Sequence, residues 1–286
     1  MVLVLACVQP AADAAVSVPR APLQAAVLSD IHYYPQSLMG DKGDAWRQYC
    51  ENNARQDAQC EALLGAALDA VEQHARTNGC KYIFIPGDLT KDGEYAGHAE
   101  LAGKLEDFER RSGIQVLVIN GNHDINNSGA TTFENNRPEK TRATSPEEFK
   151  QIYANLGYDL ACSTYTPPPG KKAGMLSYAA RLEGGYRLIV IDACKYSSDS
   201  TPHRLDEHKT GGNITPELMD WILRQSAEAA ACGETVIGMA HHSLVPQFEI
   251  EPSVFQDFVV DNWLETTETL ADAGMRYVFT GHMHTS

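Results

Sequence analysis

The sequence predicts an α/β sheet fold, and two observations carry that reading. Apolar runs rich in Val and Ile alternate along the chain with longer segments whose leucines and alanines recur at three- and four-residue spacing, as strands and their covering helices would. Short polar clusters follow directly on several of those apolar runs, the place where α/β folds display their functional groups.

In chain order, residues 1–22 read as a leader or tail. Val2 to Val8 is a short apolar run, and Ala12-Asp13-Ala14 resembles a signal-peptidase site, although a basic n-region is missing. Three readings stay open: a signal whose start lies upstream, a lipoprotein signal anchored at Cys7, and a disordered tail. Export (secreted, periplasmic or lipid-anchored) is the expectation, with a cytoplasmic location as the alternative. The domain itself is expected to span residues 23–286.

Within it, strands are expected at Ala25–Ser29, Lys81–Ile85, Ile114–Asn120, Tyr186–Asp192, Glu234–Ala240 and Arg276–Thr280. Helices are expected at Asp57–Arg76, Tyr95–Arg111, Pro146–Leu156, Pro216–Ala230 and Trp263–Ala273. Two helix starts are marked locally. Ser145-Pro146-Glu147-Glu148 offers an N-cap, an N1 proline and acidic first-turn residues, and Thr215-Pro216-Glu217 repeats the device. Tyr33–Gln59 and Asn126–Arg142 break the rhythm as polar, turn-rich loops after strand ends, where loops shape ligand sites.

Bulk properties narrow the function classes. The 286 residues are 43% hydrophobic, enough for one domain with a sizeable core. Asp+Glu 38 against Lys+Arg 23 gives a formal net charge of −15, which argues against binding extended nucleic acid or an anionic membrane surface. A phosphate substrate is compatible with that charge if metal ions reverse the local field. No apolar stretch is long enough to span a bilayer as a helix. Among the cysteines, Cys80, Cys194 and Cys232 sit beside apolar strands and read as buried small hydrophobes. Cys50 and Cys60 are close enough to staple a loop, and that pairing stays open.

The polar clusters carry the chemistry: Asp30-Ile31-His32, Gly87-Asp88, Gly121-Asn122-His123-Asp124, His241-His242 and Gly281-His282-Met283-His284. Together they offer imidazole, carboxylate and amide ligands for two adjacent metal ions. Alternation along an extended strand end would put Asp30 and His32 on one face. Asp88 alone reads as a turn cap, yet its two oxygens could bridge a metal pair. The four-residue Gly-Asn-His-Asp string is the most specific, with chance occurrence on the order of one in a thousand. His241 and His242 point to opposite faces if extended, so one should ligate and the other stand behind it. His74, His98, His203 and His208 have no such partners and read as solvated surface residues.

Taken in this order, the clusters resemble the calcineurin-like metallophosphoesterase superfamily over residues 25–286. Gly87-Asp88-Leu89-Thr90-Lys91-Asp92-Gly93-Glu94 and Gly121-Asn122-His123-Asp124-Ile125-Asn126-Asn127 look like secreted bacterial members. The resemblance implies a four-layer αββα sandwich with metals at the strand ends. It implies a first metal on Asp30, His32, Asp88 and His284 and a second on Asp88, Asn122, His241 and His282. His123 matches the family's unliganded catalytic histidine. His241 is taken over His242 because the family's ligand is usually the first of such a pair; Ser243 stands where many members have proline. The family also continues past its Gly-His-x-His with further strands, so the chain is expected to be truncated at its C-terminus, with His284 near a fraying end.

The expected activity is hydrolysis of a small-molecule phosphomonoester or phosphodiester. Two divalent or trivalent ions sharing Asp88 would lower the pKa of a bridging water that attacks phosphorus, while His123 donates to the phosphate or the departing alkoxide. A thiolate-free donor set suits Zn, Mn, Fe or Co. The alternatives are a nuclease, which the acidic balance disfavours, and a non-catalytic metal-binding module. Tyr33, Asn126 and His208 are loop residues near the clusters that could touch substrate, though each reads first as an ordinary loop residue.

Overall fold

The computed structural model describes residues 1–8, 22–41, 43–52, 57–195 and 210–284. Its strands are β1 (Val2–Val8), β2 (Leu23–Ser29), β3 (Tyr82–Pro86), β4 (Gln115–Ile119), β5 (Thr131–Thr132), β6 (Glu139–Lys140), β7 (Ala161–Thr164), β8 (Tyr178–Leu182), β9 (Tyr186–Ile191), β10 (Thr235–Ala240) and β11 (Val278–Phe279). The helices are α1 (Gln36–Met39), α2 (Asp44–Asn52), α3 (Cys60–Asn78), α4 (Tyr95–Ser112), α5 (Pro146–Ile152), α6 (Pro216–Ala231), α7 (Glu251–Val254) and α8 (Trp263–Asp272).

Two sheets form the centre, one ordered β1-β2-β3-β4 and the other β11-β10-β9-β8-β7. β2, β3 and β4 run parallel, with Val27 opposite Phe84 and Phe84 opposite Leu117. β9, β10 and β11 are parallel as well, and β7 and β8 continue the second sheet antiparallel. Every residue of β3 and of β9 is buried, as in strands covered on both faces. One core cluster joins Leu28, Ile83, Ile85 and Leu117 of the first sheet to Leu188, Val190, Ile237 and Met239 of the second, and extends to Leu64 and Val71 of α3 and Leu101 and Phe108 of α4. A second cluster seats Leu218, Trp221 and Ile222 of α6 on Ile189, Ile191 and Val236. Helix, sheet, sheet and helix are therefore stacked in four layers.

The expected strands and helices all appear, with ends moved by a few residues. Both marked helix starts work as expected: Glu148 N donates to Ser145 Oγ at 3.2 Å while Ser145 N donates to the Glu148 carboxylate at 2.9 Å, and Leu218 N donates to Thr215 Oγ1 at 3.2 Å. Among the described residues, β1, β5, β6, β7, β8, α1, α2 and α7 have no expected counterpart. β7 and β8 are short and carry no period of their own, so only pairing, of β8 with β9 and of β7 with β8, makes them strands. Tyr33–Gln59, expected as a loop, contains α1 and α2, held by an aromatic stack of Tyr34, Trp46 and Tyr49 against Phe133. Val2–Val8, expected within a leader-like segment, pairs antiparallel with β2; Ala12, Asp13 and Ala14 lie outside the described residues.

The cysteine expectations change in part. Cys50 and Cys60 are free thiols, Cys80 and Cys194 are buried as expected, and Cys232 is exposed because it lies at the C-terminal end of α6, beyond the face packed on the sheet. Among the described residues, no helix is long and apolar enough to cross a membrane.

Candidate metal centre

The parallel strands of both sheets end on one edge of the sandwich, and all five polar clusters meet there. Backbone hydrogen bonds stitch the ends within each sheet: His32 N to Asp88 O at 3.0 Å, Tyr33 N to Leu89 O at 2.8 Å, and Gly281 N to His241 O at 3.0 Å. Two further bonds cross between sheets. His282 N donates to Asp30 Oδ1 at 2.9 Å, and His241 Nδ1 meets Pro86 O at 2.9 Å.

Asp30 and His32 come together by a different route from the extended alternation expected. Their φ angles are 55° and 46°, and Asp88, His282 and His284 are also left-handed, at 48°, 74° and 53°. Such backbone costs a non-glycine residue about 1 kcal/mol or more and persists where surrounding bonds over-determine it. Five candidate ligands thus turn sharply off their strands, and the turn aims their side chains at a common point. Gly87 (φ 84°) and Gly121 make room for this: a Cβ on Gly87 would lie 2.5 Å from His241 Nδ1, and one on Gly121 would overlap the Asp88 carboxylate. The glycine of Gly-Asn-His-Asp therefore serves close approach, since its φ is not positive.

The side chains form two groups sharing Asp88. Asp30, His32, Asp88 and His284 have ligand atoms within 4.8 Å of one another, as do Asp88, His241 and His282. In the first, the Nε2 atoms of His32 and His284 are 3.1 Å apart, with His284 Nε2 3.5 Å from Asp30 Oδ1 and His32 Nε2 3.7 Å from Asp88 Oδ2. In the second, His241 Nε2 lies 3.4 Å from Asp88 Oδ2, 3.0 Å from Asn122 Oδ1 and 3.1 Å from His282 Nδ1. All except His284 are buried.

The tautomers decide what this second group requires. His241 Nδ1 faces the Pro86 carbonyl and His282 Nε2 faces the Asp257 carbonyl at 3.0 Å. A carbonyl only accepts, so both outer nitrogens carry the hydrogen. With both rings neutral, the inner pair, His241 Nε2 and His282 Nδ1, then present lone pairs to each other beside a carboxylate and an amide oxygen. Acceptors alone converge, and only a positive centre satisfies them. Protonation behaviour expresses the same demand. Burial would raise the Asp88 carboxyl, but the His241, His123 and His32 imidazoles reverse this and hold it well below the usual range. Burial would lower His241, yet the Asp88 charge outweighs it and pushes the imidazole up to about 9. Burial, with His241 next, drives His282 down to about 3. The position between them is built for a cation, which fits a metal held by Asp88, Asn122, His241 and His282.

His123 stands outside both groups. Its amide donates to Asp88 Oδ1 at 3.0 Å and its Nδ1 lies 2.9 Å from Asp92 Oδ1, while its ring meets His32 edge-on at 5.2 Å. Burial would raise the Asp92 carboxyl, but His123 and Lys91 hold it well below the carboxylate range. Lys91 is itself 1% exposed, paired with Asp92 and with Glu94 at 3.2 Å, and faced by Tyr34 and Tyr49. Sequence reasoning gave Asp92 and Lys91 no role. Their signal was the fixed spacing after Asp88 within the Gly87–Glu94 string.

His242 stands behind the shell, its Nε2 on Thr210 O at 2.8 Å and its ring packed on His241 and His282. His98 corrects an expectation. Read as a solvated surface residue, it is fully buried on the inner face of α4, between Tyr153 OH at 2.8 Å and the Asp124 carbonyl at 3.0 Å. His74 is half-buried and meets Asn78 at 3.1 Å; His203 and His208 lie outside the described residues. Tyr33 is buried with its hydroxyl on Glu100, away from the centre, and Asn126 is exposed.

A family model described as calcineurin-like phosphoesterase matches residues 23–286. Among curated proteins, none matches the chain.

Proposed function

The chain belongs to the calcineurin-like phosphoesterases, and from that premise we propose that it hydrolyses a small-molecule phosphomonoester or phosphodiester at a dinuclear metal centre. Asp30, His32, Asp88 and His284 hold one ion; Asp88, Asn122, His241 and His282 hold the other. The observation that carries this reading is the convergence of acceptor atoms on two adjacent positions, with the Asp92-backed His123 beside them. When bound, such ions neutralise phosphoryl oxygens and lower the pKa of water.

The protein's own groups supply the rest. Asp88 sets the separation of the two positions because it belongs to both. Asp92 accepts from His123 Nδ1 and fixes the ring, so Nε2 is the nitrogen that meets a phosphoryl or leaving-group oxygen. As water oxygen bonds to phosphorus and the ester P–O bond breaks, the Nε2 proton of His123 goes to the departing alkoxide and the proton lost by the water returns to that nitrogen. The formal charge of −15 supports a small phosphoester over a nucleic-acid strand, and zinc, manganese, iron or cobalt all suit this donor set.

The test is metal-reconstituted protein assayed on bis(p-nitrophenyl) phosphate, p-nitrophenyl phosphate and single-stranded DNA. Turnover is expected on a nitrophenyl ester. His123→Ala is expected to keep its metal and lose on the order of 10²-fold or more in kcat, whereas Asp88→Ala loses metal and activity together. Full metal occupancy without turnover of any of the three would leave a metal-binding module instead, and turnover of DNA alone would make the chain a nuclease.

A further inference from the structure

Outside the centre, one surface of the molecule is conspicuously apolar. Val245, Phe248, Ile250, Val254 and Phe255 are 52%, 41%, 63%, 55% and 50% exposed, and all lie in the excursion between β10 and α8. Scattered exposed apolar side chains are ordinary, but a cluster of this kind marks a binding surface. The excursion is a built feature. Val260 N donates to Ser243 O at 3.0 Å and Asp261 N to Gly212 O at 2.9 Å, which ties its return to the second sheet. Within it, Phe255 N donates to Glu251 O at 2.7 Å, and the buried Glu251 carboxylate accepts from Gln247 N.

The apolar surface leads to the metal centre. Phe248 meets Phe255 at 6.1 Å between ring centroids, Phe255 meets Phe258 at 5.9 Å, and Phe258 meets the His282 ring at 4.8 Å. Asp257, next to Phe258, supplies the carbonyl that faces His282 Nε2. The wall on the first-sheet side, in contrast, is polar, built of Asp92 and His123. Among the described residues, the phenylalanine rings offer an ester whose phosphorus sits at the metals an apolar way out.

We infer that the substrate is an amphiphilic phosphodiester whose alkyl or acyl chain lies along Phe258, Phe255 and Phe248. The inference rests on the phosphoesterase reading and specifies its substrate class. Full transfer of a methylene from water is worth about 0.8 kcal/mol, close to fourfold in kcat/KM; an open surface covers roughly half of each group.

The experiment is a series of alkyl p-nitrophenyl phosphates (methyl, butyl, octyl) below their micellar concentrations, hydrolysed by metal-reconstituted protein. The octyl ester is expected to exceed the methyl ester on the order of a hundredfold in kcat/KM. In Phe248→Ser/Phe255→Ser that ratio is expected to fall at least tenfold, while Leu63→Ser, an exposed apolar change on α3, keeps the wild-type ratio. A flat series in the wild type, or an undiminished ratio in the double variant, overturns the inference. Binding of methyl- to octylphosphonate by calorimetry separates the two claims. Affinity that rises with chain length and falls in the double variant, with no ester turned over, would uphold the apolar surface and sink the phosphoesterase reading. A wild-type dimer in sedimentation that the double variant dissolves would give the surface to a second copy of the chain and overturn the inference as well.

Discussion

His98 shows how much a single buried imidazole can contribute to pH behaviour. Burial drives it down to about 3 against the hydrogen bond to the Asp124 carbonyl, whereas in the unfolded chain it titrates near 6.5. Between those values the unfolded chain binds a proton that the folded chain refuses. The stability contributed is therefore complete above pH 6.5 and is lost as pH falls toward 3, by about 1.4 kcal/mol per pH unit. His98→Gln keeps a donor and an acceptor near Tyr153 OH and the Asp124 carbonyl but has nothing to titrate. Its thermal midpoint, followed from pH 6.5 to 4.5, is expected to fall less steeply than that of the wild type. The difference in slope isolates His98 from groups common to both proteins, and parallel slopes would refute the assignment. The helix pattern placed His98 on α4; which face the helix buries depended on Tyr153 and Asp124, residues far away in sequence.

At the scale of elements, glycines divide into those the centre needs and those it does not. Gly121 ends β4 against Asp88, and a Cβ there would overlap the carboxylate shared by both ligand groups. Gly121→Ala is expected to fold and to lose metal affinity by at least tenfold in calorimetry. Gly103 lies within α4 with nothing near its missing Cβ. Gly103→Ala is expected to stabilise the protein by about 0.5–1 kcal/mol in chemical denaturation, and a loss there would show an unseen neighbour. The same division explains what could be read in advance. β2, β3, β4, β9 and β10 were legible because buried parallel strands are written as largely apolar runs, and α5 and α6 because Ser145 and Thr215 mark their starts. The candidate ligands were legible as residue types after those runs. The left-handed turns at Asp30, His32, Asp88, His282 and His284 were not, because none of these residues is glycine and only bonds from neighbouring strands hold the conformation. α2 escaped notice for a related reason: its apolar content is the aromatic stack of Trp46 and Tyr49, which depends on Phe133 far along the chain.

For the whole molecule, the centre is where two halves of the chain are joined. Asp30, His32, Asp88 and Asn122 come from the first sheet, and His241, His282 and His284 from the second, so each ligand group draws on both. The bond from the His282 amide to the Asp30 carboxylate and the contact of His241 with Pro86 cross the same seam. Without a cation, facing lone pairs at 3.1 Å oppose that closure unless a proton takes the place between them. Metal binding should then act as a clamp on the sandwich rather than as a local event. A ligand that binds only the folded state stabilises it by about 2.7 kcal/mol at a hundredfold excess over Kd, which for a domain of this size raises Tm by several degrees. Chelation of the reconstituted protein is expected to lower Tm by that amount, and re-addition of zinc or manganese to restore it. Asp88→Ala removes the residue common to both groups and is expected to abolish the metal-dependent shift entirely, whereas His284→Ala, at the exposed end of the first group, is expected to halve it or less. Equal shifts in wild type and Asp88→Ala would place the stabilising ion elsewhere and break the link between the centre and the joining of the two sheets.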